Sequence, residues 1–170
     1  ERTPVNKWHP KDKIEEGYNT SQPIRSHGYQ YVHQFHTKEN LMTLSNYWDE
    51  CDNQPDYRLS SALKLAASAA NPNFSKMRRF RAGKKGGGPL SGTLYGSSIT
   101  TPQNALLSIG RNIDFVNKAF LECKKFKYGE HVTITGSASA TNLLSNSVDY
   151  IFIDPPFGAN IMYSELNIIW

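Results

Sequence analysis

The sequence predicts an α/β fold, and three features carry that expectation. Val148–Ile153 is almost continuously apolar, the pattern of a parallel strand covered on both faces. His131–Thr135 alternates, with Val132 and Ile134 on one side, and the twelve residues Gly136 to Ser147 suffice for a crossover with a short helix around Leu143-Leu144. Ahead of them, Leu106, Ile109, Ile113, Val116 and Phe120 recur at spacings of three, four, three and four, the stripe of an amphipathic helix. Helix, strand, crossover and buried strand in succession describe helices layered on a parallel sheet.

The remaining elements follow in chain order. Residues 1–36 are rich in Pro, Gly, His and Tyr without a sustained period, and read as an irregular lead-in with one short strand at Tyr29–Phe35. Thr37 caps a helix whose apolar face is Leu41, Leu44, Trp48 and Cys51, and Gln54-Pro55 ends it. An Ala-rich helix spans about Ser60 to Ala70 and stops at Asn71-Pro72. Residues 74–100 are basic and aromatic, then glycine-rich, and predict a mobile insertion, with Leu90–Ile99 a short strand or irregular segment. Thr101-Pro102 is a helix start, a capping residue followed by proline at the first helical position. Lys124, Lys125 and Lys127 suit the negative pole of that helix, and Gly129 stops it. We therefore expect an irregular lead-in over 1–36 and a partial domain over 37–170 with a basic, glycine-rich insertion at about 74–100.

Composition narrows the class. With 170 residues, 38% of them hydrophobic, the chain can remove roughly 70% of its unfolded surface from water and needs no staple. Mean hydropathy is −0.55 and no apolar run approaches a membrane span, so no membrane partner is expected. Cys51 and Cys123 are isolated, which argues against a disulfide framework and for a reduced, cytoplasmic setting. The chain stops at Trp170 inside the apolar series Ile161, Leu166, Ile168, Ile169, Trp170, and we read it as a piece of a longer protein.

Charge is uneven. Tyr57 to Ile113 holds nine basic residues and no acidic one, whereas the remainder holds 10 basic and 15 acidic residues. Such asymmetry marks a segment facing a polyanion or a solvated charged loop. Within it, Lys76, Arg78, Arg79, Arg81, Lys84 and Lys85 are flanked by Phe74 and Phe80, a combination suited to tracking phosphates. His33 and His36 have HxxH spacing, but no cysteine or carboxylate completes a metal set, and ordinary hydrogen-bonded histidines are the better reading.

The chemistry concentrates at Asp154-Pro155-Pro156-Phe157, at the carboxyl end of the apolar run, where ligands bind in open α/β sheets. The two prolines lock φ and offer no N–H, leaving the carbonyls of Asp154 and Pro155 free to face a ligand. A carboxylate, a carbonyl and an aromatic face suit a planar group bearing an amine.

Ser147-Val-Asp-Tyr-Ile-Phe-Ile-Asp-Pro-Pro-Phe-Gly158 resembles motif IV of the N6-adenine and N4-cytosine DNA methyltransferases. The continuation Ala159 to Trp170 is similar to bacterial site-specific DNA methylases in which the motif runs on as Gly-x-Asn-Ile-x-Tyr, and Phe35–Ser45 and Gly88–Tyr95 share that likeness. The resemblance implies a Rossmann-like three-layer α/β/α fold, incomplete in this chain, and S-adenosylmethionine as cofactor. It implies that Asp154 and the Pro155 carbonyl accept the amine hydrogens of a flipped base, with Pro156 completing the rigid turn, and that Phe157 stacks on the base. Asn160 and Tyr163, just past the motif, are candidates to line the base pocket, with plain loop residues the alternative reading. Holding the amine in line with the methyl group is worth about 7–11 kcal/mol of orientation. Adenine N6 is favoured over cytosine N4, because many N4 enzymes carry serine in place of the aspartate. A guanine-N2-type RNA methyltransferase, or a catalytically silent nucleic-acid-binding module, is the alternative.

The family also requires a Phe-x-Gly-x-Gly turn for the methionine end of the cofactor, and no segment matches it. Gly83–Gly88 lacks a preceding apolar strand and has no Walker spacing. Ser137 stands where relatives often carry an acidic residue near the cofactor, and is the one candidate for cofactor contact here. We expect the turn to lie outside residues 1–170.

Overall fold

The computed structural model describes residues 4–83, 87–126, 129, 132–137, 139–155 and 162–169. Its architecture is helical: α1 (Ser21–His27), α2 (Lys38–Asp52), α3 (Tyr57–Phe74), α4 (Ala105–Cys123) and the short α5 (Tyr163–Leu166), with 3-10 turns at Val32–Phe35 and Asn167–Ile169. Among the described residues there is no strand and no sheet, only the isolated bridges Lys13 to Tyr31, His36 to Ser75 and Arg79 to Thr100.

This overturns the expected α/β class and the Rossmann-like three-layer arrangement. Val148–Ile153 has no backbone hydrogen bond to another described segment, and Tyr150 through Ile153 are all exposed, Phe152 by 79%. Val132 and Ile134 are exposed too, and Leu143-Leu144 is not helical. An apolar, β-branched run favours extended backbone, but a strand needs a partner within about 5 Å to take up its N–H and C=O groups. No described neighbour does so. At Tyr29–Phe35 the backbone does find partners, with the Ile14 amide on the Gln30 carbonyl and the Val32 amide on the Asp12 carbonyl, but only an isolated bridge results. A 3-10 turn replaces the expected strand: the Gln34 side chain accepts from the Gln30 and Tyr31 amides and curls the backbone.

The three long helices form as their sequences dictate, with shifted ends. Thr37 caps α2 by accepting from the Asn40 amide, as its position predicts. Asp56 caps α3 through the Arg58 amide, so that helix starts earlier than Ser60 and runs through Pro72 to Phe74. Pro72 lies inside α3, in its last turn, where it forgoes one backbone hydrogen bond; the turn closes with the Ser75 amide on the Asn71 carbonyl at 3.0 Å. Asn104, not Thr101, caps α4: the Thr101 amide donates to the Arg78 carbonyl and the Gln103 amide to Asn73, so regular helix begins only beyond them. The face α4 buries is Ala105, Ser108 and Ile109, with Ile113 packed alongside, while Leu106 and Phe120 of the predicted stripe are exposed.

Two apolar clusters hold these elements. In one, Ala67, Ala70 and Phe74 of α3 meet Ala105 and Ile109 of α4, flanked by Leu44, Tyr47 and Trp48 of α2. Small residues on α3 let the helices approach closely. Asn40 joins all three: its side-chain amide donates to the carbonyls of Phe74 and Gln103, both at 2.8 Å, and its oxygen accepts from the Ala105 amide at 3.0 Å.

The second cluster draws on distant parts of the chain: Ile14, Tyr29, Val32 and Phe35 of the lead-in, Met77 and Leu94 of the basic segment, and Ile169 near the chain's end. Gly28 lets the chain turn back from α1 into this core, adopting φ 66° and donating to the Ile24 carbonyl. His36 is buried and pairs with Asn71 at 2.6 Å, and Asn71 in turn donates to the Ile169 carbonyl. Ile14, Tyr29, Val32 and Phe35 of the lead-in are thus buried in a core, as are Phe74, Met77 and Leu94 of the basic stretch, whereas Phe80 and Arg81 are exposed.

Candidate functional site

Asp154 lies at the end of the exposed apolar segment, where its carboxylate has no hydrogen-bond or ion-pair partner among the described residues. Pro155 beside it is exposed. A free carboxylate next to a proline carbonyl is an acceptor pair open to an incoming N–H donor. Pro156, Phe157 and Asn160 lie outside the described residues.

Tyr163 opens α5 and is 53% exposed. That short helix is anchored by Glu165, whose carboxylate accepts from the amides of Tyr18 at 3.1 Å and Asn19 at 2.6 Å. Leu166 and Ile169 below it reach the second core. This anchoring seats Tyr163 and Asn167 opposite Pro89–Leu94, and between the two segments lies a cavity of about 430 Å³. The sequence marked both segments for the same likeness without indicating that they meet. Ser91 and Asn167 of this cavity escaped the sequence reading; the Gly88–Tyr95 likeness was the available signal for Ser91.

The basic segment divides in two. Lys76 spans the core surface, donating to the Gln34 carbonyl at 2.8 Å over the Tyr29 ring, and burial holds its ammonium below the usual lysine range. Arg78 donates to the carbonyl and hydroxyl oxygens of Thr101, both at 3.2 Å. Both cations are thereby committed to the fold. Arg81 and Phe80 are exposed, and the Arg79 Nε is buried without a partner. Phe74, expected to flank this stretch as a contact surface, is fully buried in the first core. Lys84 and Lys85 lie outside the described residues.

Ser137 is exposed in a small turn, its hydroxyl 2.8 Å from that of Ser139. Among the described residues no cluster of His, Cys, Asp or Glu could hold a metal ion. His33 and His36 are instead hydrogen-bonded, to Pro10 and Asn71. No described helix is long and apolar enough to cross a membrane.

No family model, curated protein or solved structure matches this chain. Its function must be argued from its own residues.

A larger concavity, about 1180 Å³, runs along α3 and α4 between Leu63, Val116 and Phe120, with Arg58 and Lys124 among its lining residues. It holds none of the residues that the sequence marks for chemistry. The smaller cavity, which contains Tyr163, is the better candidate because polar groups without partners converge there on apolar walls.

Proposed function

We propose that this chain carries the target-amine half of an S-adenosylmethionine-dependent DNA methyltransferase acting on the exocyclic amine of a flipped base, with adenine N6 as the favoured target. The reading rests on one observation, the Ser147–Gly158 motif ending in Asp154-Pro155-Pro156-Phe157. It does not rest on a Rossmann-like sheet.

Asp154 and the Pro155 carbonyl accept the two amine hydrogens, and Phe157 stacks on the ring. An aromatic amine is a poor nucleophile because its lone pair is delocalised into the ring. Fixed acceptors favour the pyramidal geometry that frees the lone pair. Extruding the base costs a few kcal/mol, which stacking partly offsets. Arg79 and Arg81 contact phosphates and position the strand without reading its sequence.

The residues described here do not fit the methyl donor. Ser137 is a solvent-facing hydroxyl tied to Ser139, with no glycine-rich turn in the sequence beside it. No step is therefore assigned to a bound cofactor in this chain. A second reading, a nucleic-acid-binding module without catalysis, is favoured by the same lack of fit.

Tritiated methyl transfer by the protein produced from its native reading frame tests the proposal. Incorporation into DNA that is abolished by Asp154→Ala is the expected result. Incorporation that survives Asp154→Ala, goes only into RNA, or is absent altogether would overturn it.

A further inference from the structure

We infer that the cavity between Pro89–Leu94 and Tyr163–Ile169 is a purine base site, in which Tyr163 stacks on the ring and Asn167 and Ser91 hydrogen-bond to its edge. The choice of a nucleobase as ligand rests on the reading under Proposed function; the existence of the cavity does not.

Size comes first. At about 430 Å³ the cavity falls within the span of roughly 300–1,000 Å³ usual for small-molecule pockets. Its walls are Pro72, Met77, Pro89 and Leu90, flat or pliable apolar groups that accept a planar ring on its faces. Tyr163 supplies an aromatic face. Stacking on such a face tolerates any base, so ring edges must supply selectivity.

The polar groups are few and available. The Asn167 carboxamide, the Ser91 hydroxyl and the Tyr163 phenol have no hydrogen-bond partner among the described residues. By contrast the Thr93 hydroxyl, also in the lining, is occupied by the Tyr95 amide at 3.2 Å. Asn167 and Ser91 can both donate to ring nitrogens, leaving an exocyclic amine for other acceptors. Gly92 shapes the wall: at φ 68° it makes the turn that sets Ser91 on the rim, a conformation costly for any residue with a Cβ.

The support beneath is firm. Leu94 is buried at the cavity's base, Ile169 packs in the same core, and Glu165 ties α5 to Tyr18 and Asn19. A ligand would meet a surface already placed by the second core, with little ordering left to be done on binding.

Ligand-observed saturation-transfer NMR on the 170-residue chain, with adenosine as probe and ribose 5-phosphate as the base-free control, tests this site. Adenosine and not ribose 5-phosphate should show transfer at millimolar concentration. Tyr163→Ala and Asn167→Leu should each weaken adenosine binding about tenfold, and Tyr163→Phe and Ser91→Ala by a smaller factor. Far-UV circular dichroism checks that each variant folds, and the two milder variants keep the test valid if a harsher one does not. No transfer to adenosine, equal transfer to ribose 5-phosphate, or adenosine affinity unchanged in all four variants would overturn the assignment while leaving the role of Asp154 untouched. Adenosine binding that maps to these residues, with no methyl transfer from the native reading frame, would leave this site standing and remove the methyltransferase reading.

Discussion

Replacing Asn40 with leucine should loosen the helical body, because this side chain satisfies three backbone groups at once. Its amide satisfies the carbonyls of Phe74 and Gln103 at 2.8 Å, and its oxygen satisfies the Ala105 amide at 3.0 Å. Asn40 itself is buried, and Ala105 and Phe74 are fully buried around it. Leucine is similar in size, so the packing term is small and the loss is one of hydrogen bonding. Each unsatisfied buried group costs about 1–3 kcal/mol; with some rescue by water at Gln103, the total is about 3–5 kcal/mol. For a chain of this size that corresponds to a fall in Tm of roughly 6–20 °C. Urea unfolding followed at 222 nm reads the change directly, with Asn46→Ala, at an exposed position of the same helix, as control. A destabilisation below about 1 kcal/mol would refute the idea that Asn40 links α2, α3 and α4.

Other consequences can be checked alongside. Burial, with smaller contributions from the Lys76 and His33 charges, pushes the His36 pKa below the usual histidine value, against the opposing hydrogen bond that its Nε2 donates to the Asn71 oxygen. The unfolded chain then takes up the proton first, so stability should be full at pH 8 and decline as pH falls through about 6.5. The urea midpoint should drop between pH 8 and 5.5, and His36→Gln should flatten that slope; a midpoint that rises on acidification would contradict the sign. Arg79→Ala with Arg81→Ala should weaken DNA binding and reduce the salt slope by about two without loss of stability, whereas Arg78→Ala should destabilise the fold. Unchanged DNA affinity in the double variant would end the phosphate-contact reading. Calorimetry should find no tight complex between the 170-residue chain and S-adenosylmethionine, and submicromolar binding would contradict the poor fit at Ser137.

What the sequence revealed about the fold was local. Capping chemistry at Thr37 and the stripe Leu41–Trp48 anticipated α2, since a helix satisfies its own backbone and needs only one covered face. The strands were misread for the complementary reason: Val148–Ile153 has the composition of a buried strand, but pairing is a property of neighbours that the run does not contain. The ends of α3 and α4 moved because Asp56 and Asn104 compete with later or earlier caps, and long-range bonds such as Thr101 to Arg78 decide between them. Of the candidate site, Asp154 is singled out by its motif in the sequence, whereas the meeting of Ser91 with Tyr163 and Asn167 depends on how Leu94, Leu166 and Ile169 pack.

The central claim is that Asp154 and Pro155 accept the hydrogens of a base amine. The most direct measurement compares the affinity of the 170-residue chain for an oligodeoxynucleotide bearing one unpaired adenine with that for the same strand bearing unsubstituted purine. Hydrogen bonds to a charged acceptor predict at least an approximately tenfold preference for adenine, and Asp154→Ala should erase it. Equal affinity for the two strands, or a preference that persists in Asp154→Ala, would contradict the account.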